Sequence, residues 1–198
     1  MSEQVILASG SKSRLALLQA AGVHVQSIKP NVDEDAAKRI YRAENMPIRD
    51  QAMALAELKA LKVSRAHAGL VIGGDQMLNL DEQAFDKPET LDDAKAHLRT
   101  LSGKTHRLET AIVICQDGTP VWRHLERPKL FVRPLTEEFI SEYVSRCGDA
   151  LLTTVGAYQL ESQGSQLFTR IDGDYFSILG LPLLPLLDFL RTRGVVPS

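Results

Sequence analysis

Apolar positions along the chain come either in short runs or at helical spacing, and the two patterns alternate. "QVILAS" (Gln4–Ser9) is a brief, β-branched apolar run and predicts a buried strand. The polar turn "GSKSR" follows, then "LALLQAAG". There Leu15 and Leu18 share one helical face and Gly22 offers a stop. "HVQSIKPNVDED" predicts a second strand running into an acidic loop at Asp33, Glu34 and Asp35. From Ile48 to His67 an Ala-, Leu-, Glu- and Lys-rich stretch predicts a longer helix, with Asp50 in its first turn where the helix dipole favours a negative charge. "LVIGGD" predicts a third strand that ends at Asp75.

The second half continues the alternation. "NLDEQAFDKPETL" is rich in turn formers, and Thr90 is placed to cap the helix "LDDAKAHLRTL". "SGKTHR" breaks that helix and leads into the strand "LETAIVICQDG". More strand follows in "TPVWRHLERPKLFVRPL", where Pro128 and Pro134 restrict the pairing. Thr136 caps "EEFISEYVSRCG". The glycine-rich stretch from Gly156 to Pro182 reads as strand in pieces, and Pro182 opens a last helix that Gly194 closes. Strands alternating with helices, without repeats or a low-complexity linker, give an α/β class with a mixed sheet. A chain of 198 residues makes one domain, residues 1–198, with room for two lobes around a cleft.

Composition narrows the function classes. A net charge of −2 argues against broad electrostatic binding to nucleic acid or anionic membrane. No apolar run is long enough to span a bilayer, and the start "MSEQVILASG" is too acidic for a signal peptide, so a cytoplasmic protein is expected. Cys115 and Cys147 lack metal-ligand spacing and read as unpaired thiols.

The polar residues of interest sit at element ends. Ser9, Ser11, Lys12 and Arg14 surround the start of the first helix, which suits an anion, although Ser11 or Ser13 as a plain cap with solvated cations is the simpler account. Asp75 behind Gly73 and Gly74 either holds a metal or activates water, or only starts a turn. Glu34 offers a second carboxylate, and by itself reads as a solvated acid. Lys87, held extended by Pro88, can reach a phosphate as a point charge but alone reads as a surface lysine. His106 in "LSGKTHR" stands without a second histidine at ligand spacing, which favours a structural or phosphate-facing role.

In order, "LASGSKSRLALL", "VDED", "IGGDQ", "KPET", "LSGKTHR", "GAYQLE" and "ILGLPLLPLLDFLR" span nearly the whole chain, and the set resembles the Maf family of nucleoside triphosphate pyrophosphatases. The resemblance implies a Maf-like fold, similar to inosine triphosphate pyrophosphatase: a mixed sheet flanked by helices with a central cleft, often homodimeric. It implies cleavage of the α–β phosphoanhydride of a nucleoside triphosphate with a divalent cation, Mg²⁺ or alternatively Mn²⁺ or Co²⁺. Asp75 falls on the family's catalytic carboxylate and shares the metal with Glu34. Ser11, Arg14 and Lys87 fall on triphosphate-binding positions. Lys12 replaces a proline usual in the family and can add charge near the phosphates.

Three positions bear on the base. A group of the family preferring thymidine and uridine triphosphates has Arg, Thr and Gln where this chain has Ser13, Gln76 and Glu161. A group acting on 7-methyl-GTP has Trp, Gln and Glu. Gln76 and Glu161 match the second group, and an acceptor-only carboxylate suits the paired N–H donors of guanine. Ser13 departs from it and cannot stack on a cationic base. The expected function is removal of a non-standard nucleotide, 7-methyl-GTP. The alternatives are a broader or pyrimidine-directed pyrophosphatase and a nucleotide-sensing regulator of septum formation.

Overall fold

The computed structural model describes residues 3–197. Eight strands among them form one mixed sheet: β1 (Val5–Ala8), β2 (Val25–Ser27), β3 (Leu70–Leu80), β4 (Gln83–Phe85), β5 (Thr105–Gln116), β6 (Thr119–Glu126), β7 (Lys129–Val132) and β8 (Phe168–Asp172). Their order is β2-β1-β3-β5-β7-β8, with β4 paired to β3 and β6 to β5. The helices are α1 (Lys12–Ala20), α2 (Glu34–Ala43), α3 (Ile48–Ser64), α4 (Leu91–Leu101), α5 (Glu137–Cys147), α6 (Tyr175–Ile178) and α7 (Leu183–Thr192). The expected α/β mixed sheet flanked by helices is the observed architecture.

Two compact units divide the chain, with boundaries inside β3 and β5. The first holds the chain up to Gln76, Thr110–Glu126 and the chain from Asp174 on. Here β1 pairs in parallel with β2 and β3, and β1 and the start of β3, covered on both faces, read as continuous apolar runs. Val5, Leu7, Leu18, Leu70, Ile72, Ile112, Ile114, Leu186 and Leu190 form its main core. On the other face of the same strands, Ile6, Ala8 and Val71 pack with Val63 of α3.

The second unit holds Met77–Glu109 and Arg127–Gly173. Its strands pair antiparallel, β4 on the end of β3, β7 on the start of β5, and β8 on β7. Thr90 caps α4 in a reciprocal box with Asp93, and Thr136 caps α5, both as the residue pattern predicts. His106 lies on β5, 1% exposed, with its Nε2 2.8 Å from the Tyr158 hydroxyl and its ring against Phe168. It is packed in the interior of this unit. Burial depresses its pKa from 6.5 to about 4. The fold therefore holds a neutral ring, whereas the unfolded chain takes up a proton below about pH 6.5. The stabilisation is present above that value and lost as pH falls toward 4, a change of about 3 kcal/mol. Urea unfolding of the wild type minus that of His106→Phe should show this slope between pH 6.5 and 4. A difference that is flat with pH would refute it.

Three local expectations are corrected. Asp33, Glu34 and Asp35 are not a loop: Asp33 caps α2, its carboxylate accepting from the Ala36 amide at 2.8 Å, and Glu34 and Asp35 form the first turn. β3 does not end at Asp75 but runs on to Leu80. The stretch after Gly156 is mostly turns and a 3₁₀ segment (Gln163–Leu167) before β8, so Glu161 is an exposed turn residue and not a strand residue.

Gly73 is accounted for by packing. A Cβ there would collide with the Ala56 carbonyl oxygen and lie 2.7 Å from the Ala60 amide nitrogen and 2.8 Å from its Cβ. The missing side chain lets α3 lie directly on β3, and no ligand is needed to account for it. Gly73→Ala is expected to cost about 1–3 kcal/mol through overpacking. Equilibrium denaturation checks this, and an unchanged midpoint would count against the close packing.

Candidate active site

The first unit brings together six of the residues singled out above: Ser9, Ser11, Arg14, Glu34, Asp75 and Gln76. Pairing of β1 with β3 ends at Ala8–Gly73, so Asp75 lies just beyond the carboxyl end of β1, where ligands of open α/β sheets gather. Successive strand residues face opposite sides of the sheet. Gly73 and Asp75 face α3, while Gly74 and Gln76 face Arg14, Thr110 and the segment Asp174–Gly180.

On the α3 side, Lys59 donates to the Asp75 carboxylate at 2.7 Å and lies 2.8 Å from the Glu34 carboxylate. Asp75 is 7% exposed and the Lys59 side chain 8%, so this is a largely desolvated pair, whereas Glu34 reaches in from the half-exposed first turn of α2. Lys59 was not anticipated from the sequence. The signal was present: it sits at helical spacing within the buried stripe Ile48, Ala52, Leu55, Ala56, Ala60 and Val63, the place of an apolar residue.

On the other side, Ser11 caps α1, its hydroxyl accepting from the Arg14 amide at 3.4 Å. The capping account of Ser11 is thus the geometry present, but the idea of solvated cations fails for Arg14. Arg14 is 9% exposed; its Nε donates to the Gly180 carbonyl at 2.7 Å and its Nη1 to the Ser9 hydroxyl at 3.2 Å. Burial lowers the guanidinium pKa, and the negative charges of Asp75 and Glu34 pull it back up. Gly74 lies against this guanidinium, since a Cβ there would be 3.2 Å from Arg14 Nε. The first turn of α1 carries no acid but does carry Lys12 and Arg14. Cations at the positive end of a helix dipole raise the local potential and favour an anion.

Gln76 is half-buried, and its amide nitrogen donates to the Thr110 hydroxyl, the Ser177 carbonyl and the Ile178 carbonyl at 2.9, 2.9 and 3.2 Å. Lys12 and Ser13 are exposed on the first turn of α1. Lys87 and Glu161 belong to the second unit. Lys87 is exposed, between β4 and α4, and Glu161 is exposed in its turn.

Glu34 and Asp75 carry oxygen donors of the kind a hard divalent cation takes. Glu34 and Asp75 converge on one positive group, the Lys59 ammonium. No cluster of three or more His, Cys, Asp or Glu side chains suited to a metal occurs among the described residues. Two carboxylates with the remaining ligands from water and phosphate is the habit of Mg²⁺. None of the helices among the described residues is long and apolar enough to cross a membrane.

Comparison with known proteins identifies the family. A protein of Hyphomonas neptunium named nucleoside triphosphate pyrophosphatase is 68% identical over 198 residues, covering all of both chains. One of Caulobacter vibrioides with the same name is 52% identical over 192 residues, 97% of this chain and 96% of the relative. A 7-methyl-GTP pyrophosphatase of Rhizobium etli is 46% identical over 197 residues, 99% of each chain. The family described as Maf-like protein matches residues 4–193, and with such relatives across its whole length the chain belongs to that family.

Proposed function

We propose that this Maf-family chain hydrolyses the α–β phosphoanhydride of a non-standard nucleotide, 7-methyl-GTP, releasing nucleoside monophosphate and pyrophosphate. The broader activity, nucleoside triphosphate pyrophosphatase, a hydrolase acting on acid anhydrides, is the name carried by relatives up to 68% identical over the full chain. The observation that carries the chemistry is the convergence of Asp75, Lys59 and Glu34 beside Arg14.

A triphosphate repels any oxygen nucleophile, so the site must offset charge while orienting water. Arg14 has five N–H donors. Two go to Gly180 and Ser9, which fix the plane of the guanidinium, and the rest can serve phosphate oxygens. The α1 N-terminus with Ser11 and Lys12 adds to the same potential, and Lys87 is assigned to phosphate by the family resemblance. Asp75 accepts from Lys59 through one oxygen, which leaves the other to take a proton from the attacking water. Lys59 holds that carboxylate in place and stabilises charge in a site with little solvent. A divalent cation held by Asp75 and Glu34 would polarise the phosphoryl oxygens and neutralise charge on the leaving pyrophosphate.

The preference for 7-methyl-GTP rests on Gln76 and Glu161 and on the similarity to relatives that carry that name. A broader nucleotide range is the second reading, favoured by the small, exposed Ser13 where a stacking tryptophan would be needed. Pyrophosphate release from 7-methyl-GTP, GTP, UTP and dTTP, with Mg²⁺ and with chelator, separates the two. The first reading expects at least about tenfold higher kcat/KM for 7-methyl-GTP, an advantage reduced in Glu161→Gln. Equal rates on all four nucleotides would support the broader reading, and activity unchanged by chelator would remove the metal.

A further inference from the structure

The hydrogen bonds around Gln76 fix which end of its amide is available. Its nitrogen is turned toward three oxygens, the Thr110 hydroxyl and the carbonyls of Ser177 and Ile178. The Thr110 hydroxyl donates its own proton to the Ser177 carbonyl at 3.0 Å, so toward Gln76 it acts as an acceptor. A flipped amide would set its carbonyl oxygen against two backbone carbonyls and a hydroxyl whose proton is already committed. Thr110 and Ser177 are both fully buried, so water cannot relieve that repulsion.

The turn that presents the Ser177 carbonyl is itself tied down. Asp174 caps α6, its carboxylate accepting from the Ser177 amide and hydroxyl, both at 2.6 Å. The same segment, three residues on, receives Arg14 at Gly180. Asp174–Gly180 therefore positions a phosphate-binding candidate and Gln76 together, on the face of β3 shared by Gly74 and Gln76.

We infer that Thr110 is a positioning residue for nucleobase choice: with the Ser177 carbonyl it locks the Gln76 amide so that the carbonyl oxygen faces the nucleotide, and the site selects bases that present a ring N–H there. This rests on the reading above that Gln76 meets the base. It sharpens that reading from a nucleotide name to a hydrogen-bond polarity: an acceptor on the protein and a donor on the base.

Matched nucleotide pairs test the polarity. GTP and UTP carry a ring N–H where ATP and CTP carry a ring acceptor. Pyrophosphate release by the wild type should favour GTP over ATP and UTP over CTP by about tenfold in kcat/KM. Thr110→Val should cut each preference about fivefold through KM of the donor-bearing member, with kcat within about twofold. Thr110→Ser, which keeps the hydroxyl, should restore the preference. Asp174→Ala, on the partly exposed cap, should shift preference in the same direction as Thr110→Val. If none of the four nucleotides is cleaved, their inhibition constants against 7-methyl-GTP hydrolysis are compared in the same pairs. Equal values within each pair in the wild type would overturn the inference, as would a uniform kcat loss in Thr110→Val that Thr110→Ser does not rescue. Failure to cleave any nucleotide, 7-methyl-GTP included, would instead overturn the pyrophosphatase reading.

Discussion

Asp75→Asn is expected to lower kcat for pyrophosphate release by about 10²–10⁴-fold, the span associated with loss of a positioned general base. An amide of the same shape still fits the site, and its oxygen can still accept from Lys59, now 2.7 Å from the carboxylate. What the amide lacks is a carboxylate's basicity and its charge toward a metal. The fold should be retained, because the substitution keeps volume in a position that is 7% exposed. Steady-state rates with Mg²⁺, alongside circular dichroism, measure this. Loss of kcat with an intact fold is the expected result, and a change confined to KM would show that Asp75 only binds.

Lys59→Met should be more damaging to the molecule as a whole. It removes the cation that touches both Asp75 and Glu34, leaving a buried carboxylate without that partner. Breaking a buried pair from one side costs about 3–5 kcal/mol, more than the Coulomb gain the intact pair returns. The expected outcome is a marked fall in the denaturation midpoint together with a rate loss comparable to that of Asp75→Asn. Raised Mg²⁺ should recover part of the stability, since a divalent ion between Glu34 and Asp75 would supply the missing charge. A variant as stable as the wild type, with or without Mg²⁺, would mean that Lys59 is not what holds the two acids.

The contrast between Lys59 and its helix shows where the residue pattern was readable. Ile48–Ser64 was evident as a helix because Ala, Leu, Glu and Lys favour one, and that composition concealed Lys59, which reads as a good helix former like its neighbours. Only its place in the buried stripe sets it apart. The apolar runs of β1 and the start of β3 were plain because both faces of those parallel strands are covered. The continuation of β3 through Asp75 was not, because a carboxylate normally ends an apolar strand. Here Lys59 offsets the cost of burying it, and that contact comes from another element. Helix α2 was missed for the opposite reason. None of its residues is buried and Ile40 is 56% exposed; its apolar stripe (Ala36, Ala37, Ile40 and Tyr41) is short and set among charged residues, so it reads less plainly than the stripe of α3, and Asp33 as a cap is a second local sign. That the backbone of α3 closes on Gly73 follows from the fold alone. Arg14 and Asp75 could each be picked out singly. That Arg14 is buried and feels the fields of Asp75 and Glu34 follows from the fold alone.

On the proposed reading, Asp75 and Lys59 work as one unit in pyrophosphate release. The direct measurement is a double-mutant cycle: kcat/KM for wild type, Asp75→Asn, Lys59→Met and the double variant, all with saturating Mg²⁺ and the same nucleotide. Residues that act together lose their function once, so the double variant should fall within about threefold of the weaker single variant. Losses that multiply across the two substitutions would contradict the account, because they would mean that Asp75 and Lys59 contribute independently.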